Sequence, residues 1–122
     1  MNRLFVSFEL ARILKELGFN EPCVAIFNMG NELSLDDGFY KQEFYHKDTV
    51  LAPLLQQVTD WLRDEHGIII VIIPFLMEDN SITYEYTNYT NKDQDEIDHG
   101  DGPYEDYYDA LNAAIKSALS CI

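Results

Sequence analysis

A chain of 122 residues with 47% apolar and 13% aromatic side chains has the size of one compact domain, and it is too rich in core-forming residues to be disordered despite a net charge of −14. Twenty-two acids against eight bases exclude direct binding to nucleic-acid phosphates or to an anionic membrane, because both draw on Lys and Arg. The longest apolar run, Ile68 to Leu76, falls well short of the ~20 residues of a membrane helix, and Glu9, Arg12, Lys15 and Glu16 interrupt any leader-like segment, so a cytoplasmic protein is expected.

Leu10, Ile13, Leu14 and Leu17 recur at helical spacing and predict a first helix from Ser7 to Leu17, with Ser7 as N-cap. Gly18 supplies a left-handed stop, and Phe19 folds back on the last turn. Cys23 to Met29 and Gly38 to Tyr45 read as two strands joined by a polar turn around Asp36, Asp37 and Gly38. A second helix is expected over residues 53–66, with Pro53 at its first position, Trp61 on its buried side and Gly67 ending it. The unbroken β-branched run Ile68 to Ile73 then predicts a central strand, deeply buried or covered on both faces. Ser81 to Tyr89 alternates, with Ile82, Tyr84 and Tyr86 on one side, and pairs back through a turn at Glu78 to Asn80.

Residues 90–102 read as a polar acidic loop. Pro103 opens a third helix, with Glu105 and Asp106 in its first turn and Tyr108, Leu111, Ala114, Ile115, Ala118 and Leu119 forming its apolar face. The order α-β-β-α-β-β-α predicts a single α+β domain over 1–122, with one mostly antiparallel four-stranded sheet and three helices packed against it.

Acidity is concentrated at the C-terminal end. Glu78 to Asp109 holds eleven acids against one base, Lys92; residues 1–77 carry a net charge of −5 and residues 78–122 a net charge of −9. A calcium loop started at Asp93 fails, with Ile97 where a ligand belongs, Asp98 in place of the required Gly and Tyr104 in place of the closing Glu. Started at Asp98 it fails again, at Gly100 and Gly102. His46, His66 and His99 share no helical metal spacing, and Cys23 and Cys121 have no CxxC partner and read as free thiols. No GxSxG and no phosphate-cradling glycine loop occur, so neither a cofactor, a metal nor a catalytic residue is assigned.

Several stretches together resemble a family of small uncharacterised proteins of gut Bacteroidales bacteria, often carried by prophages and other mobile elements. They are VSFELARILKELGF followed by EPC, LAPLLQQVTDWLRDEHGI ahead of a β-run, YEYTNY, and YEDYYDALNAAIKSAL. The resemblance covers nearly the whole chain, resting on Ser7 to Ala11, Pro22-Cys23, Leu51 to Pro53, Trp61 to Arg63 and Tyr104 to Leu119. It implies a cytoplasmic, mobile-element setting and brings no site residue; the acids from Asp93 to Asp101 lie outside the family pattern.

The function expected from the residues is capture of a basic protein partner by an acidic, Tyr-rich surface. Its candidate members are Asp93, Asp95, Glu96, Asp98 and Asp101 with Tyr84, Tyr86 and Tyr104. Two alternatives stay open: a DNA mimic that inhibits a DNA-binding protein, and a small enzyme without a recognisable motif. A homodimer formed through an exposed strand edge also stays open.

Overall fold

The computed structural model describes residues 2–28, 30–40, 49–90, 96–100 and 102–122. In chain order the elements are α1 (Phe8–Glu16), β1 (Cys23–Phe27), β2 (Leu33–Tyr40), β3 (Val50–Leu51), α2 (Leu55–His66), β4 (Ile68–Leu76), β5 (Ile82–Thr90), β6 (Glu96–His99) and α3 (Tyr107–Leu119). The class is α+β. The chain divides into two compact units, Met1–Gln57 and Val58–Ile122, each with its own three-stranded antiparallel sheet.

The sheets run β2-β1-β3 and β4-β5-β6, which corrects the expected single four-stranded sheet. The reason lies in how main-chain groups are satisfied. The second edge of β1 is taken by Val50–Leu51, and that of β5 by Glu96–His99. Neither central strand therefore has an edge left for the other hairpin.

In the first unit α1 begins where the Ser7 hydroxyl accepts from the Leu10 N–H at 3.2 Å. It ends in a Schellman motif: Phe19 N–H donates to the Leu14 carbonyl at 2.9 Å and Gly18 N–H to that of Lys15 at 3.2 Å. Gly18 sits at φ 90°, where a side chain would be strained. Leu10, Ala11 and Leu14 are buried, as are Cys23, Ala25, Val50 and Leu51 of the sheet. The β1–β2 turn lies earlier than the sequence predicted. Asn31 takes φ 62°, and the Asn28 Oδ1 accepts from the N–H groups of Gly30 and Glu32. Asp36 and Asp37 consequently lie within β2 instead of forming the turn, while residues 41–48, which include His46 and most of the predicted second strand, lie outside the described residues.

Helix α2 starts at Leu55, two residues after Pro53, because Gln57 closes its first turn. The Gln57 Oε1 accepts from Leu54 N–H at 3.0 Å while its Nε2 donates to the Pro22 carbonyl at 2.9 Å. Val58, Trp61 and Leu62 are buried, as expected of this helix, and the Trp61 ring meets His66 edge-on at 4.5 Å.

In the second unit β4 is an edge strand, not a central one. Ile68 is buried, but Ile69 and Ile73 are each 37% exposed, and the strand runs on through Pro74 to Leu76. Its β-branched run reflects pairing along all nine residues of β5, from Ile68 opposite Thr90 to Leu76 opposite Ile82. The turn at Glu78 to Asn80 is where the sequence placed it. Asn80 N–H donates to the Met77 carbonyl at 3.0 Å, and Asn80 takes φ 69°. Part of the expected acidic loop is strand β6, and residues 91–95 and 101 lie outside the described residues. The third helix starts at Tyr107, not at Pro103, since the Asp106 carboxylate caps it by accepting from Tyr108 N–H at 2.7 Å. Its buried face, Ala110, Leu111, Ala114, Ile115, Ala118 and Leu119, packs on the β4-β5-β6 sheet. Among the described residues no helix is long and apolar enough to cross a membrane.

Candidate functional site

The structure gathers four of the eight expected site residues, Tyr84, Tyr86, Asp98 and Tyr104, on the α3 side of the second sheet. Tyr84 and Tyr104 exchange main-chain hydrogen bonds of 2.8 and 2.9 Å, which extends the β6 side of β5 by one bridge. Tyr86 and Tyr104 lie 6.3 Å apart, Tyr84 meets Tyr107 edge-on at 5.7 Å, and Tyr107 meets Tyr108 edge-on at 5.3 Å. This aromatic ladder runs from a buried end, Tyr86, to an exposed one, Tyr107 at 42%. Glu96 pairs through its backbone with Tyr89, whereas Asp93, Asp95 and Asp101 lie outside the described residues.

Asp98 ties the buried end together. Opposite Asn88 across the strands, its Oδ2 accepts from the Tyr86 phenol at 3.1 Å and from the Ser117 hydroxyl of α3. The Ser117 hydroxyl first, then the Tyr86 phenol, hold the Asp98 carboxyl below the usual carboxylate range, while burial pushes the Tyr86 phenol up. A carboxyl depressed in the folded state contributes stability that is complete above its unfolded pKa of about 3.9 and is lost as pH falls through the folded value. Asp98→Asn should therefore cost about 1–2 kcal/mol at neutral pH, the charge-assisted bonds being discounted for solvent access. The gap to the native chain, measured by urea unfolding, should narrow below about pH 4.

Beside this cluster sits Asn88, 1% exposed. Its Nδ2 donates to the Ala114 carbonyl at 3.0 Å, and its Oδ1 finds no partner among the described residues. Sequence reading passed over Asn88, although alternation puts it on the side of Tyr84 and Tyr86.

The second overlooked feature is the end of the β4–β5 hairpin. Phe75, Leu76, Met77 and Ile82 are 43%, 74%, 44% and 48% exposed, around a turn that carries Glu78 and Asp79. Ser81 donates through both its hydroxyl and its N–H to Asp79 Oδ1, which stiffens the turn and lowers the Asp79 pKa. The signal for this patch was the uncharged run from Ile68 to Met77, longer than one strand needs for its core.

Cys23 is fully buried, donates to the Glu21 carbonyl at 3.3 Å, and has its thiol pushed up to about 12 by burial, so it packs as an inert small side chain. Cys121 is exposed. Among the described residues no three His, Cys, Asp or Glu side chains are placed to hold a metal ion. No protein-family model matches the chain, and no match was found among curated proteins or among solved structures.

Proposed function

We propose that this chain is a non-enzymatic accessory protein that captures a basic protein partner through the β4–β5 hairpin end and the acidic, Tyr-bearing surface beside it. The observation that carries the reading is the exposure of Leu76, 74%, among Phe75, Met77 and Ile82 at the end of a stiff hairpin. Large apolar side chains grouped in this way on a folded surface mark an interaction site. The acids give the patch its selectivity. Glu78 and Asp79 border it, Glu85 lies along β5 on the face away from α3, and Glu105, Asp106 and Asp109 flank the exposed Tyr107 in sequence. A partner with an apolar pocket and a basic rim fits this surface, with Leu76 as anchor and the charges setting the approach rate.

Immobilised protein should retain partners with a basic surface at about 50 mM salt and release them at about 500 mM. Leu76→Asp should weaken a recovered partner's binding by about 30-fold or more, since a central anchor is worth ~2 kcal/mol or more. Glu78→Lys combined with Glu85→Lys should slow association and remove the salt effect. Binding that survives both changes, measured by surface plasmon resonance, rejects the assignment.

A further inference from the structure

The outer edge of β4 carries a pairing code that its side chains do not reveal. Along β5, Tyr84 exchanges main-chain bonds with Tyr104, and the Tyr86 carbonyl accepts from Gly100 N–H at 3.2 Å. The even-numbered residues of β5 therefore bond toward β6, and its odd-numbered residues bond toward β4. Met77 N–H donating to the Ser81 carbonyl at 2.8 Å fits the same parity. Since Tyr84 faces Pro74 and Tyr86 faces Ile72, the even-numbered residues of β4 direct their main-chain groups away from the sheet. Ile68, Ile70, Ile72 and Leu76 thus present N–H and C=O groups outward, and among the described residues no strand pairs with them. Pro74 belongs to the same set and has no N–H, so the outward row is broken at that point.

We infer that two copies of this chain pair antiparallel through β4, about a two-fold axis at Ile70, to form a continuous six-stranded sheet. This register matches Ile68 with the partner's Ile72, Ile70 with its own copy and Ile72 with the partner's Ile68, making six main-chain bonds and leaving Pro74 outside the paired segment. Centring the axis on Ile72 would bring Leu76 opposite Ile68 but set Pro74 opposite Ile70 on both sides of the axis, so that each proline ring is turned toward the partner strand and removes a bond from inside the ladder. The charge distribution favours a second copy at this edge. Ile68 to Met77 holds no charged residue in a chain of net charge −14, so it offers nothing for a basic strand to select and nothing for its own copy to repel. The antiparallel arrangement also sends the two Glu78-Asp79 turns to opposite ends, about 50 Å apart at ~3.3 Å per residue, well beyond electrostatic reach in physiological salt. On the face away from α3, Ile69 and Val71 of each copy come side by side, which covers part of the 37% exposure at Ile69. The hairpin ends remain outside the contact, so this pairing does not depend on partner capture and would make that capture bivalent.

Sedimentation equilibrium of the full chain over about 1–500 µM should show a monomer–dimer equilibrium. It should tighten between about 50 and 500 mM salt, because screening relieves the repulsion of the two acidic bodies, opposite in sign to the salt response of a basic partner. Ile70→Pro deletes one outward N–H from each copy, two bonds in all, and should raise the dimer dissociation constant about 30-fold. Ile69→Lys, at a partly exposed position, should weaken the dimer while leaving the fold intact. Independently of any variant, amide exchange at Ile68, Ile70 and Ile72 should slow with increasing protein concentration while that at Leu76 stays unchanged. A chain that remains monomeric throughout, or a dimer that protects Leu76, overturns the inference.

Discussion

Asn88→Asp should destabilise the protein by about 3–5 kcal/mol at neutral pH, although the two side chains have nearly the same shape. Three effects act in the same direction. Asn88 is 1% exposed, so the new carboxylate loses its hydration. The donor that Nδ2 offers to the Ala114 carbonyl at 3.0 Å becomes an acceptor facing an acceptor. Asp98, directly opposite across the strands, adds a like charge. Desolvation and the neighbouring charge both raise the folded pKa of the introduced carboxyl above its unfolded value near 3.9. The penalty should therefore grow as pH rises from about 4 and shrink toward that value, where the protonated form restores a donor. Urea denaturation of both chains at matched pH between about 4 and 7 reads the difference without the separate contribution of Asp98. A gap that stays constant over that range would mean that the carboxylate has reached water.

The Asn88 environment also shows what the sequence could reveal. Features decided within a few residues were legible: Ser7 capping α1, Gly18 and Phe19 closing it, Gly67 ending α2, and the turn at Glu78 to Asn80. The alternation of Ile82, Tyr84 and Tyr86 gave the side of β5 that is buried at Tyr86, and extending it by one step reaches Asn88, whereas Ile82 at the hairpin end is exposed. What failed depended on distant pairing. Val50–Leu51 is two residues long and has no period to detect, and Glu96–His99 lies inside an acid-rich run whose composition reads as loop. Missing those two strands led to the wrong sheet, because each gives its hairpin a third strand and a sheet of its own.

The β-branched run of β4 misled for a different reason. Ile and Val favour a strand wherever it lies in a sheet, so their presence could not separate a central strand from an edge. Position in the sheet was decided by β6, nineteen residues away from Ser117, whose hydroxyl meets Asp98. The candidate site was legible to the same extent. Tyr84, Tyr86 and Tyr104 cluster as their positions around the second hairpin implied, yet Tyr86 faces inward and serves the attachment of β6. The exposed anchor, Leu76, went unnoticed because an apolar residue continuing an apolar strand reads as core.

Attachment of β6 can be broken at one glycine. Gly100 follows the strand with its N–H on the Tyr86 carbonyl, and a Cβ built on it would lie 2.7 Å from the ring's Cδ2 and 3.0 Å from its Cζ. These distances are shorter than side-chain carbons tolerate, and the ring cannot swing away. Tyr86 is 6% exposed, its phenol is tied to Asp98, and Tyr104 lies alongside it. Gly100→Ala should therefore cost about 3 kcal/mol, with relief available only by moving β6 off the sheet or tilting the ring out of its rotamer. The first route breaks the Asp98 bonds to Tyr86 and Ser117, so the loss should appear together with faster amide exchange in β6 and at Tyr104, while the β4–β5 ladder keeps its protection. Adding Tyr86→Leu, which removes the obstructing ring atoms and the phenol, should make Gly100→Ala cost under about 1 kcal/mol in that background. Equal penalties in both backgrounds would show that backbone conformation at Gly100, and not its contact with the ring, selects glycine there.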